Sequence, residues 1–342
     1  MNNLLPTLAE WKSLYEAAIE FKKIESWHWM GETEIFGVQN PEDGEIGYCM
    51  TLGSNGEVFA LAVYLGTDGL EGMLKIQSGE VGPEGLDALH AQKCLMASFE
   101  NRDCLQKADL QIIKELGLKF RGRHEWPLFR SYEPGFFPWY LSKSEVRFLT
   151  LALEQACQVS LRVKDNPDLL LSSKENQYFV RVPEKIGRDI VWHDQWLVPE
   201  PLEKKERKQP VLDELYLRRL KDKTVKQDRV LEADLFYAPF PVQEKKNERP
   251  YYPYVSLWLD QHSGEILNYC LSPHSDYRAD FCNSFLKLIE NIRVIPRAVT
   301  VAKIEVAELL EPLARKLGTE IKLVKRFKVL EGAKESLFEY LG

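Results

Sequence analysis

The sequence predicts two domains. The first is an α+β domain built on an antiparallel meander. The second is an α/β-type domain whose elements run strand, strand, strand, helix, strand, helix, strand. Three observations predict this. The chain has 342 residues, more than one ordinary core accommodates. Its apolar periodicity changes repeatedly between helical and strand spacing. A Pro-framed charge run, Pro199-Glu200-Pro201-Leu202-Glu203-Lys204-Lys205-Glu206-Arg207-Lys208-Gln209-Pro210, has almost nothing to bury and reads as a connection. The domains are therefore placed at 1–200 and 211–342, with 201–210 as linker.

The first helix opens on Thr7 and Glu10, a capping-box pair. Leu8, Trp11, Leu14, Tyr15, Ala18 and Phe21 follow as one apolar stripe. Beyond Trp27-His28-Trp29, which is expected to pack that helix onto the sheet, short strands are predicted at 35–38, 46–52 and 58–64. Asn40-Pro41-Glu42-Asp43-Gly44 and Gly53-Ser54-Asn55-Gly56 supply the turns. Helices are predicted near 67–77, 83–93, 106–116 and 142–157, and strands near 95–99, 126–132, 177–182 and 189–198. The second domain is expected to open with a helix at 211–221. Strands follow at 229–238, 253–260 and 264–272, a helix at 276–291, a strand at 297–302, a helix at 305–317, a strand at 320–325 and a helix at 331–341. Pro312 should bend the helix at 305–317 or loosen a turn in it.

Composition narrows the function. Apolar residues at 44% and charged residues at 28% are ordinary for a folded chain, which argues against wholesale disorder. No apolar run approaches the roughly 18 residues of a membrane helix, and the N-terminus lacks the pattern of a signal peptide. A cytoplasmic setting without membrane contact is the expectation. The six cysteines lack metal-site or framework spacing and have apolar neighbours, so buried free thiols are expected. Residues 1–200 hold 20 Lys and Arg against 30 Asp and Glu, while 201–342 hold 25 against 22. Phosphate is repelled by the first part, so nucleic acid is admissible only through the second.

No phosphate-binding loop, dinucleotide turn, nucleophile elbow or His-Glu-x-x-His helix is present. The C-terminal element order is that of an RNase H-like fold, in which acids hold two divalent metals about 4 Å apart. Asp234, Asp260 and Glu305 are the candidate acids. Asp234 lies on the first strand. Near the end of the fourth strand, where an acid is needed, stands Lys303. The alternative is that Asp260 is a turn residue and Asp234 a solvent-facing strand residue. The other distinctive stretch is 119–141, where eight of 23 residues are aromatic and three are arginine. Arg121, Arg123, Trp126, Arg130 and Trp139 are the candidate ligand-binding residues, because aromatic faces and forked donors suit a protein or small anionic partner. The alternative is a long connection pinned to the core, with its arginines paired to acids. Lys322, Lys325, Arg326 and Lys328 form a basic cluster, either a solvated face or a phosphate-tracking edge.

Gly47-Tyr48-Cys49, Val63-Tyr64-Leu65-Gly66, Phe129-Arg130-Ser131, Pro134-Gly135 and Pro138-Trp139 resemble an N-terminal domain of uncharacterised bacterial proteins. Arg249-Pro250-Tyr251-Tyr252-Pro253 with Asp260 and Ser263-Gly264 resembles the C-terminal domain that accompanies it, as does Leu309-Leu310-Glu311-Pro312-Leu313 before Leu317-Gly318. Both are domain-of-unknown-function families. The resemblance implies the two-domain layout and a bacterial cytoplasmic setting, and it carries over no activity. The resulting expectation is a non-catalytic binding or adaptor protein without a metal or cofactor. The alternative is a metal-dependent nuclease or related phosphoryl-transfer enzyme using Asp234, Asp260 and Glu305.

Overall fold

The computed structural model describes residues 5–82, 85–187, 189–202 and 213–341. The predicted linker falls almost entirely outside them. The described residues form two compact units. One runs to Pro134 and resumes at Pro138; the other takes Gly135–Phe137 and everything from Asp213 on.

In the first unit, helix α1 (Leu8–Ile24) starts at Thr7, whose hydroxyl accepts from the Glu10 N–H while the Glu10 carboxylate accepts from the Thr7 N–H at 2.8 Å. This reciprocal pair satisfies N–H groups that a helix start otherwise leaves orphaned. The meander follows as β1 (Phe36–Gln39), β2 (Ile46–Leu52) and β3 (Ala60–Leu65). Next come α2 (Gly66–Gln77), α3 (Gly85–Ala91), β4 (Cys94–Glu100), α4 (Lys107–Glu115), β5 (Trp126–Tyr132), α5 (Lys143–Asp165), β6 (Tyr178–Ile186) and β7 (Asp189–Leu197). The sheet order is β5-β4-β3-β2-β1-β6-β7, antiparallel at every step except β1 to β6.

Alternation along these strands sends two sets of side chains to two faces. Cys49, Leu61, Val63, Leu95, Ala97 and Phe99 share a core with α1 and α5. Tyr48, Met50, Ala62, Tyr64 and Cys94 share the other with Leu70 and Met73 of α2. A Cβ on Gly72 would stand 1.9 Å from the Ala91 carbonyl oxygen, so only glycine lets α2 approach there. Helix α5 runs eight residues beyond the predicted end at 157, because Val159 and Val163 extend the buried stripe. Trp27 packs against Phe21, Phe59 and Phe99 and ties α1 to the sheet as expected.

The second unit holds α6 (Glu214–Lys223), β8 (Val225–Tyr237), β9 (Tyr254–Asp260), β10 (Ile266–Ser272), α7 (Tyr277–Ile292), β11 (Val294–Val301), α8 (Ile304–Leu317), β12 (Glu320–Leu323) and α9 (Leu330–Leu341). Its sheet order is β10-β9-β8-β11-β12. The first three strands are antiparallel, and β8, β11 and β12 run parallel. This is the predicted strand, strand, strand, helix, strand, helix, strand order. Leu231, Ala233 and Leu235 of β8 face α6, α7 and α8, where Trp258 is stacked on Phe281 and Phe285 at 4.9 and 4.8 Å. Truncating so enclosed a side chain to alanine costs about 3–5 kcal/mol. Val255, Leu257 and Leu259 face the opposite way, against Leu330 and Leu337 of α9. Pro312 sits inside α8 without ending it. Phe137 N–H donates to the Pro250 carbonyl and Tyr252 N–H to the Gly135 carbonyl, which places 135–137 in this unit.

No helix among the described residues is long and apolar enough to cross a membrane. All six cysteines are unpaired. Cys49, Cys94 and Cys282 are buried and Cys157 and Cys270 half-buried. Cys104 departs from the expectation of burial: it ends a short surface turn, Arg102–Cys104, and is exposed.

Candidate functional site

Strand β8 carries two carboxylates among apolar neighbours, Glu232 and Asp234. They are two residues apart and so share one face. That face is the one α9 covers, and both acids are enclosed: Glu232 is 0% and Asp234 1% exposed. Asp234 is therefore not a solvent-facing strand residue. The alternation that buries Leu231, Ala233 and Leu235 on one side buries the acids on the other.

A buried carboxylate must be paired or hydrogen-bonded, and Asp234 is clamped by two ammonium groups. Lys303 Nζ lies 3.3 Å from one carboxylate oxygen and Lys334 Nζ 2.6 Å from the other. Lys303 stands just past β11, at the cap of α8, and also donates to the Leu235 carbonyl at 2.8 Å. Lys334 comes from α9. Its ammonium lies over the Phe236 ring at 4.7 Å and reaches Glu331 at 3.6 Å. Glu232 binds the start of the same helix. It accepts from the N–H groups of Lys328, Val329 and Leu330 at 2.9, 3.1 and 2.9 Å, and from the Gln261 amide at 3.1 Å. A carboxylate there meets both the orphan donors and the positive end of the helix dipole.

Asp260 ends β9 and shapes the turn into β10. It accepts from the N–H groups of His262 and Ser263 at 2.9 Å each and pairs with Arg229 at 2.5 Å. Partial burial raises its pKa, but the Ser263 and His262 N–H groups and the Arg229 guanidinium outweigh that and hold it down to about 2. Glu305 is exposed in the first turn of α8. Among the described residues no three or more His, Cys, Asp or Glu side chains are grouped to hold a metal ion. Asp234 and Asp260 are each bound to their own cations, and Lys303 is turned onto Asp234. A dication about 4 Å from one of these ammonium groups would be repelled by roughly 8 kcal/mol at an effective dielectric of 20.

The aromatic and arginine stretch belongs to the first unit apart from 135–137. Arg121 and Arg123 are exposed. Trp126 opens β5, half-buried against Phe120, with the Arg102 guanidinium over its ring at 5.8 Å. Arg130 is buried and forms a two-pronged pair with Asp109 of α4 at 2.9 and 2.8 Å. It also lies over the Tyr140 ring at 4.8 Å and donates to the Phe129 carbonyl. Trp139 bridges back to Ser131 through the backbone and packs edge-on to Tyr140. Beside β5 the sheet forms a cleft of about 440 Å³ whose lining includes Met96, Leu128, Tyr132 and Arg130 together with Glu32 and Glu100.

Sequence reasoning missed Glu232, Lys334 and Asp109. The first had a signal: Leu231-Glu232-Ala233-Asp234-Leu235 sets two acids on one face of a strand whose other face is apolar. Lys334 and Asp109 had none, because their partners lie far away along the chain.

Residues 11–181 match the profile of a family described as Domain of unknown function (DUF7309), and residues 216–338 that of Domain of unknown function (DUF6930). No curated protein matches the chain. Among solved structures, a Mos1 transposase paired-end complex with left transposon end is similar at 15% identity, over 57% of this chain and 65% of that one, with a TM-score of 0.21. The Mos1 Strand Transfer Complex is similar at 15% identity, over 56% and 64%, with a TM-score of 0.20. The match thus spans just under two thirds of those chains.

Proposed function

We propose, from the premise that this chain belongs to the DUF7309 family and carries a DUF6930 domain behind it, that it is a non-catalytic binding protein. In this reading its second unit is an RNase H-like scaffold whose acids serve structure. The observation that carries the reading is the clamp on Asp234, with an ammonium group on each carboxylate oxygen at 3.3 and 2.6 Å. Two-metal catalysis needs free carboxylates converging on the ions. Here the strand acid is neutralised from both neighbouring elements, and Asp260 is saturated by a turn and an arginine.

The ligand-facing part is assigned to the first unit. Arg121 and Arg123 are exposed, in the same stretch of chain as the half-buried Trp126, whereas Arg130 holds α4 through Asp109. A protein or small anionic partner suits that surface. The joint between the two functions is assigned to 199–210, and the reduced thiols fit a cytoplasmic setting.

The test is a titration of the full chain with Mn²⁺, read by calorimetry, alongside incubation with single- and double-stranded oligonucleotides. The expected result is no cleavage and no saturable Mn²⁺ site that Asp234→Asn removes. Mg²⁺- or Mn²⁺-dependent cleavage abolished by Asp234→Asn or Asp260→Asn overturns the reading and makes the protein a nuclease.

A further inference from the structure

We propose that β10 is a homotypic interface, at which two copies of this chain join antiparallel, edge to edge, about a two-fold axis at Cys270. An open sheet edge presents unpaired N–H and C=O groups, and proteins protect such edges with charge, proline, brevity or cover. Three of the four sheet edges here carry such protection. Strand β5 holds Pro127 and Arg130 and is bridged by Trp139. Strand β7 holds Asp189, His193 and Asp194. Strand β12 is four residues long and bears Glu320 and Lys322. The fourth edge, Ile266-Leu267-Asn268-Tyr269-Cys270-Leu271-Ser272, has no charge and no proline.

Strand β10 pairs with β9 and ends the sheet. A bulge, itself a blunting device, is confined to Ile266–Asn268, and Asn268–Ser272 keeps regular register. Tyr269 and Leu271 lie opposite Leu257 and Val255, so they share the face that α9 covers farther in. They are 43% and 39% exposed, as an apolar continuation of that cluster out to the edge. The Ser256 hydroxyl donates to the Cys270 carbonyl at 3.4 Å, so the Cys270 backbone faces β9. By the alternation of an antiparallel ladder, the polar groups of Tyr269 and Leu271 point outward.

A second copy fits this edge better than a foreign segment because the strand complements itself. With the axis at Cys270, Tyr269 of each copy meets Leu271 of the other, apolar on apolar, in hydrogen-bonded pairs. Asn268 meets Ser272, and the two Cys270 residues face each other in a non-hydrogen-bonded pair with Cα atoms about 4.5 Å apart. The antiparallel sense also sends the two Glu265 carboxylates to opposite ends of the joint. The product is a ten-stranded sheet, within the usual range.

Light scattering on the full chain is expected to give a dimer that becomes a monomer in Tyr269→Lys and in Leu271→Lys. Both variants should melt like wild type diluted until it is monomeric, since both side chains are already exposed. Mild copper–phenanthroline oxidation, in a Cys104→Ser background that removes the exposed thiol, should give a disulfide-linked dimer that Cys270→Ser abolishes. A chain that stays monomeric at high micromolar concentration, or a dimer unchanged by both lysine variants, overturns the proposal. A dimeric wild type without a Cys270-dependent crosslink overturns it as well, and that readout does not depend on any lysine variant folding.

Discussion

Removing the Glu232 carboxylate should release the start of α9. The acid is fully enclosed and is the acceptor for three consecutive backbone N–H groups and one side-chain amide. Hydrogen bonds to a charged acceptor are worth about 1.5–3 kcal/mol net, and a buried donor left without a partner costs about 1–3 kcal/mol. Glu232→Ala leaves the Leu330 N–H buried and the Lys328 and Val329 N–H groups only partly relieved by water. The expected loss is about 3–5 kcal/mol. Glu232→Gln keeps the length and one acceptor oxygen, but it turns an NH₂ toward N–H donors and loses the favourable charge at the helix N-terminus. About 2–3 kcal/mol should go. Hydrogen exchange read by mass spectrometry separates this local event from global unfolding. A 3 kcal/mol loss speeds exchange of the α9 amides by roughly 10², and the first unit should be unaffected. If α9 exchanges at wild-type rates in both variants, Glu232 does not hold that helix and the account of this face is wrong.

The clamp on Asp234 predicts a non-additive cycle. Asp234→Asn should cost about 3 kcal/mol in urea unfolding of the second unit, because it leaves the largely buried Lys334 ammonium only the more distant and more exposed Glu331 carboxylate, while Asp234→Asn with Lys334→Met should recover much of that. Additive single effects would dismiss the clamp. Asp260 is held from its usual 3.8 down to about 2. Its folded-state value lies below its unfolded one, so its contribution of about 2 kcal/mol is full above roughly pH 5 and is lost as pH falls toward 2. Asp260→Asn should flatten the stability profile across that interval, and a profile of unchanged slope would count against the turn geometry. Limited proteolysis should cut first within 199–210 and leave two folded fragments, since the Pro-framed charge run has so little to bury. Early cleavage inside either sheet would refute that joint.

What the sequence determined by itself was local and periodic. The Thr7 and Glu10 pair set the start of α1, and Asn- and Gly-rich turns delimited the meander. The change from a short strand run at 253–260 to helical spacing over 276–291 was enough to order that part of the second unit, because helix and strand periods follow from backbone geometry and survive any tertiary context. Lys303 was legible as a cation where an acid was needed. Its partner was not. Only the tertiary structure decided that Asp234 lies between Lys303 and Lys334, that Glu232 receives the start of α9, and that Arg130 closes on Asp109. Each of these joins residues 21 to 100 positions apart. A charged side chain reads the same in the sequence whether water or another ion neutralises it, and burial alone makes the choice of partner worth several kcal/mol.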